Sequence, residues 1–331
     1  WMVKASAMAD AFTIQGQIAT RVTGALGTVL GQAATDALAS TLTKNPEAYD
    51  LYLKAQGVRI IGTGGARARA TLLEQAVALD SNFTRAWGGL AMNLTQLYSD
   101  GARDAAVGRR AKEALDRLVR LAPDSAVVHL VAANYYENVA RDLPRARQET
   151  ERALALDPKS IWALNTAAGF DLDDGNYQAM FEKLSKARQI DPRSIGVLNR
   201  LVQAQIYLGR TEEALVTSAE LLALEPKGYD VIQWATFAHL SAGDLAGAQK
   251  VVADVLKRVP AVELITYFAG YQELAYVLGN KERELLFRMT PAAYDNDMAW
   301  WGQSLATAAY QQGDLKRAKA YADSSLAVAK Q

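Results

Sequence analysis

"ALALDPKSIWAL", Ala153–Leu164, is the stretch whose reading decides the fold. It closes one apolar, helix-like run on a Leu-Asp-Pro step and opens another with an aromatic residue. Nearly the same phrase returns as "RQIDPRSIGVL" at 188–198 and as "LALEPKGYDVI" at 222–232. Pro123, Pro158, Pro192, Pro226 and Pro260 stand 35, 34, 34 and 34 residues apart. Proline is tolerated where a helix starts and breaks a helix interior, so each marks a seam between helices. A fixed period of this length is the mark of a repeat array.

Between prolines each unit holds two apolar-periodic runs split by a turn. "SIWALNTAAGFDL" and "NYQAMFEKLSKARQI" flank "DDG", and "SIGVLNRLVQAQIYL" and "TEEALVTSAELLAL" flank "GR". "YDVIQWATFAHL" and "LAGAQKVVADVLKRV" flank "SAGD". Apolar residues recur at three and four, so both runs of a unit are amphipathic helices. Glycine in the turn suits a helix C-terminus.

The pattern resembles the tetratricopeptide repeat, two antiparallel helices in 34 residues. Trp87, Leu90 and Ala91 match the opening of the second unit. Ala146 and Ala153 match the small positions of the third, and Ala214, Ala248 and Ala318 those of later ones. A larger side chain at such a helix crossing would cost ~1–3 kcal/mol. The resemblance implies an all-α, right-handed α-α superhelix of about seven helical hairpins over 47–331, with an extra N-terminal helix in 1–46. The first unit, 47–81, has a loose interhelical loop at "GTGGARAR" (62–69). The second carries an insertion of about eight residues around 98–108, and the seventh, 261–294, has degraded spacing.

Residues 1–46 stand outside the period. "ADAFTIQGQIATRVTGALGTVLG" at 9–31 reads as a helix with Phe12, Ile18, Val22 and Leu26 on one stripe. Phe12, Gln15, Ile18, Ala19, Val22 and Leu26, then Asn45, Glu47, Ala48, Tyr49, Tyr52 and Leu53, resemble the junction between a TolB-like domain and a repeat array in bacterial multidomain signalling proteins. That resemblance implies a parent protein with a serine/threonine kinase, an adenylate cyclase or a winged-helix regulator outside this chain; no kinase signature stands within it. The start at Trp1 ahead of Met2 suggests a piece of something longer.

Lys plus Arg and Asp plus Glu are both 36, which argues against nucleic acid as the main partner. There is no cysteine, so disulfides and thiolate metal sites are excluded and the compartment stays open, the cytoplasm being favoured over the periplasm. "GALGTVLGQAATDALASTL" at 24–42 is too polar for a membrane span. "GTGGARAR" lacks the strand before it and the Gly-Lys-Ser/Thr after it that a phosphate loop needs. "DLDDGN" at 171–176 has the wrong glycine position for a calcium loop and reads as a turn. His129 and His239 lie in different repeats and read as packed or hydrogen-bonded side chains. Glu212 and Glu213 read as a solvated helix start, and Trp300 and Trp301 diverge by about 100° on a helix. No acid, base and nucleophile converge, so no enzyme, cofactor or metal site is expected.

The period itself points to a binding surface. Asn165, Asn199 and Gln233 are 34 residues apart and hold one slot in three successive first helices. On a concave face they would form a row of carboxamides, which pair with peptide backbone as donor and acceptor. The same register turns Trp162, Asn134, Asn138, Gln203, Tyr207, Asp230 and Phe237 inward, with Trp162 and Tyr207 as aromatic anchors. The competing reading is that the amides satisfy groups between helices. The expected function is a non-catalytic scaffold for a peptide or protein segment, within a larger signalling protein. The alternative is a self-associating spacer that dimerises the parent.

Overall fold

The computed structural model describes residues 43–58, 62–101, 103–294 and 296–329, and the expected helix bearing Phe12, Ile18, Val22 and Leu26 lies outside them. The chain divides into two compact units at Ala163/Leu164. Among the described residues every regular element is a helix.

In the first unit, α1 (Pro46–Gly57) pairs with α2 (Gly62–Leu79), α3 (Thr84–Asp100) with α4 (Ala105–Leu121), and α5 (Ala126–Tyr135) with α6 (Leu143–Leu156). The helix α7 (Ile161–Asp173) crosses the division. Asn45 starts α1, its side-chain oxygen accepting from the backbone of Glu47 (3.0 Å) and Ala48 (3.2 Å). Ala48 and Tyr49 are buried, so this phrase marks the entry to the first hairpin.

One expectation is corrected here. "GTGGARAR" is no loop: it is the first half of α2. Glycine disfavours helix, but Ala66 and Ala70 are buried, and Asn93 on α3 donates to the Ala66 carbonyl at 2.8 Å. Tertiary packing overrides propensity. The insertion in the second unit is taken up largely by its helices. It lengthens both helices to 17 residues, where α9 (Ile195–Tyr207) and α10 (Thr211–Leu224) have 13 and 14.

The second unit continues with α8 (Tyr177–Ile190), α9, α10, α11 (Tyr229–Ser241) and α12 (Leu245–Val255). The irregular stretch follows as α13 (Ala261–Ala269), α14 (Gln272–Ala275), α15 (Asn280–Leu286) and a 3₁₀ turn (Pro291–Tyr294). Although its spacing is degraded, it is well packed: Leu264, Phe268, Leu274, Leu278 and Tyr294 share one core cluster. A regular hairpin, α16 (Met298–Gln311) and α17 (Leu315–Ala329), closes the described residues.

The turns repeat as the prolines do. Gly175, Gly209 and Gly243, 34 apart, have φ of 70°, 69° and 73°, the left-handed conformation that ends a helix. "DLDDGN" is thus a turn: Asn176 N–H reaches back to the Asp171 carbonyl at 2.7 Å, and the Asn176 side chain caps α8. Arg141 holds the same place in the third hairpin, with φ 56°. Just before it, Tyr136–Ala140 form a π turn, and Asp142 N–H reaches the Tyr136 carbonyl at 2.8 Å, six residues back rather than five. A π turn absorbs one extra residue. This explains why Pro123 and Pro158 are 35 apart and the later intervals are 34.

The small slot also recurs. Ala146, Ala214 and Ala248 are fully buried, and Met180 fills that slot in α8 with no exposure.

Candidate functional site

A groove of about 1190 Å³ lies wholly in the first unit. It is built by the first helices of successive hairpins. On α1, Tyr52 and Gln56 share a face; on α3, Arg85, Gly88, Gly89, Met92 and Gln96 recur at helical spacing; on α5, Val127, Val128 and Val131 do the same. Leu118 of α4 supplies floor, and Trp162 and Asp157 close one end.

Each side chain is placed by local packing. Tyr52 stands 5.2 Å, ring to ring, from Phe83, the buried residue preceding α3. Trp162, in the first turn of α7, packs beside Ala126 against Leu130, Ala153 and Ala163 and is half-buried. Val127 is 57% exposed. At the opposite ends of the helices, Arg69 of α2 donates to Gln56 at 2.9 Å, and Gln96 donates to Asp100 at 2.7 Å. Asn93 is 5% exposed; its amide serves Ala66, while its Oδ1 is buried without a hydrogen-bond partner. Arg69 Nε is likewise buried and unpartnered. Arg85 is exposed and pairs with nothing among the described residues. Asp157 Oδ1 accepts from the Lys159 backbone at 3.1 Å.

Of the residues expected from the sequence, Trp162 lines this groove. Asn134 and Asn138 lie farther along α5 and its π turn, the Asn138 amide donating to the Asn134 carbonyl at 3.0 Å. The others are in the second unit. Asn199 donates to Asp230 Oδ2 on α11 at 2.8 Å, and Gln233 Oε1 accepts from the Tyr267 hydroxyl of α13 at 2.5 Å. The same slot recurs once more, 34 residues on, as the phenol of Tyr267. Its bonds run between neighbouring first helices. Alongside, the Tyr229 hydroxyl donates to Glu263, also 34 residues away, at 2.6 Å. The remaining hydrogen-bonding capacity includes the Oδ1 atoms of Asn165 and Asn199, both buried and unpartnered. The Asn165 carbonyl accepts from Arg200 at 2.9 Å. Gln203 donates to Tyr207 at 3.3 Å, and Tyr207, 45% exposed, lies 4.7 Å from the Tyr177 ring. Phe237 is half-buried, 5.5 Å from Trp234.

Sequence reasoning missed Tyr52, Arg69, Arg85, Gly88, Gly89 and Met92. A signal existed. Counted from the residue before each helix (Phe83, Ser125, Ser160), Arg85 and Val127 hold the slot of Trp162. The proline lattice relates Val127 to Trp162, each four residues after its proline, but it does not reach Arg85, because the lengthened second hairpin breaks the period.

Both histidines are hydrogen-bonded: His129 Nδ1 lies 2.6 Å from the buried Glu149 and His239 Nδ1 2.9 Å from Asp244. Hydrogen bonds from Gly247 N–H and then from His239 hold the Asp244 carboxyl below the usual carboxylate range. Among the described residues, no three His, Cys, Asp or Glu side chains gather as a metal site would require, and no helix is long and apolar enough to cross a membrane. The groove offers apolar area, two guanidinium groups and buried atoms without hydrogen-bond partners.

No family model matches the chain. A TPR repeat-containing protein of Treponema pallidum (strain Nichols) is 31% identical over 131 residues, which is 40% of this chain and 15% of that protein's length. Among solved structures, the human IFIT1 dimer with PPP-AAAA superposes with a TM-score of 0.56 at 15% identity, covering 86% of this chain and 73% of that one. PilW, a widely conserved type IV pilus biogenesis factor, gives a TM-score of 0.50 at 15% identity, covering 65% and 95%. At such identities the likeness concerns fold alone. With the 34-residue period, the buried small residues and the repeated left-handed turns, it identifies the architecture as the all-α solenoid of tetratricopeptide repeats.

Proposed function

We propose that the chain is a protein-interaction scaffold whose first unit holds a peptide or protein segment in the groove between Tyr52 and Trp162. The observation that carries this is the groove itself: the aligned faces of α1, α3 and α5 leave a concavity of about 1190 Å³ with a largely apolar lining that includes Val127 and Trp162. Sites that hold a ligand are typically concave and mostly apolar, with a few polar groups to fix orientation, as here. The match of Asn45, Glu47, Ala48, Tyr49, Tyr52 and Leu53 to the junction phrase of bacterial signalling proteins supports a regulatory or sensory role within a larger protein. The carboxamide row of the second unit contributes mainly to cohesion between helices in this reading.

The test is affinity capture from a bacterial lysate, comparing the wild-type chain with Trp162→Ala and with Tyr207→Ala. Loss of a captured protein in the first variant, retention in the second and unchanged melting temperatures support the groove. Equal capture by all three removes it. Self-association is a second reading, favoured by Tyr310 and Leu315, 60% and 64% exposed on the final hairpin. Light scattering across a concentration series decides that point, a constant monomer mass excluding it.

A further inference from the structure

We infer that Gly88 and Gly89 form a specificity notch in the groove, receiving one bulky apolar side chain of an acidic peptide segment whose flanking carboxylates meet Arg69 and Arg85. The inference rests on the groove reading above and names the class of segment.

Glycine in a helix interior is unfavourable, and two adjacent glycines in the first half of α3 are more so. Two structural reasons could justify them, and neither holds. Their backbone is ordinary helix, not the left-handed conformation. Packing does not demand them either. A Cβ on Gly88 would meet only Leu118 methyls, at 3.7 and 3.9 Å, and one on Gly89 only Leu73 methyls, at 3.6 and 3.7 Å, which is ordinary contact. Gly302 in α16 shows the contrast: a Cβ there would stand 2.9 Å from the Tyr321 carbonyl. The corresponding pairs in later repeats, Leu130–Val131, Asn165–Thr166, Asn199–Arg200 and Gln233–Trp234, all carry side chains. What Gly88 and Gly89 do share is the groove wall. Their missing side chains leave room there for something from outside.

Charge and hydrogen bonding choose the occupant. The groove carries two guanidinium groups against one carboxylate, and Asp157 already accepts from the Lys159 backbone. Buried Asn93 Oδ1 needs a donor, and Arg69 Nε an acceptor. A peptide unit offers an N–H and a C=O together, and Asp or Glu beside the anchor residue would neutralise the excess positive charge.

A random dodecapeptide phage library is selected on the full chain. A recovered peptide is labelled with fluorescein and its binding followed by anisotropy. Acidic peptides with one Phe, Trp, Leu, Ile or Met should be enriched. Gly88→Ala/Gly89→Ala should raise the melting temperature by roughly a few degrees yet weaken the peptide about tenfold or more, the effect of one methylene in a filled pocket. Arg85→Glu should weaken it as well, as should Ala for the peptide's bulky residue. If Trp162→Ala abolishes binding but the double glycine variant binds normally, the groove reading stands and the notch is refuted. Enrichment of basic peptides also refutes the notch. If the library yields no binder, or a short single-stranded RNA binds the groove instead, both readings fall.

Discussion

Arg141 offers a quantitative check on the repeat register. It stands 34 residues before Gly175, in line with Gly209 and Gly243, but is not glycine, and its backbone sits at φ 56°, ψ 33°. The side chain is exposed, so truncation loses little packing. A left-handed conformation costs a residue with a Cβ about 1–2 kcal/mol. Glycine would remove that cost while adding roughly 0.5–1 kcal/mol of chain entropy to be lost on folding. Arg141→Gly should therefore stabilise the fold by about 0.5–1 kcal/mol, worth roughly 2–4 °C per kcal/mol. The opposite change at the matching position, Gly209→Ala, should destabilise by about 1 kcal/mol. Urea unfolding followed by circular dichroism at 222 nm measures both, read as midpoint shifts at unchanged slope. If Arg141→Gly lowers the midpoint, or Gly209→Ala leaves it where it is, the equivalence of these turns is wrong.

Gln233→Leu should cost about 0.5–1.5 kcal/mol, because it removes the hydrogen bond that Gln233 accepts from the part-buried Tyr267 hydroxyl; a neutral result in the same urea assay would show that this bond does not help to join the helices. Ala248 is fully buried at a helix crossing, so Ala248→Phe should destabilise by ~1–3 kcal/mol through overpacking, measured by thermal melting, while a tolerated phenylalanine would indicate slack at the crossing. Burial, and then the hydrogen bond to Glu263, push the Tyr229 phenol up to about 12. Its folded value is thus above the unfolded value of about 10, so its contribution to stability is complete below about pH 10 and is lost as pH climbs toward the folded value. Tyr135, Tyr136, Tyr267 and Tyr294 are pushed up as well, mainly by burial, so absorbance at 295 nm is read as a difference: one of the late-ionising phenols should ionise at lower pH in Glu263→Gln than in the wild type, and identical titrations would remove that bond.

Much of the architecture is legible because helical repeats are encoded locally. Apolar residues at three and four, proline at seams and glycine at turns each act within a few residues of themselves. Even the single 35-residue interval is a local instruction, realised as the π turn at Tyr136–Ala140. Local rules failed where tertiary contacts outweighed them. Three glycines in "GTGGARAR" suggested a loop, yet the burial of Ala66 and Ala70 and the bond from Asn93 make it helix. Asn199 and Gln233 could be assigned a common slot by counting, but not the neighbours that take up their hydrogen bonds, because Asp230 and Tyr267 belong to the next repeat.

The amino-acid order alone determined the helical hairpin, its length and its small-residue seams, since these depend on periodicities of three to 34 along one chain. Only the folded molecule decided which polar atoms bond across helices and which stay unpartnered, and where a hollow opens. A groove is the volume left among three neighbouring helices after packing, and no single helix carries that information. Gly88 shows the difference: in the sequence it is a weak helix residue, and in the structure it is part of a wall.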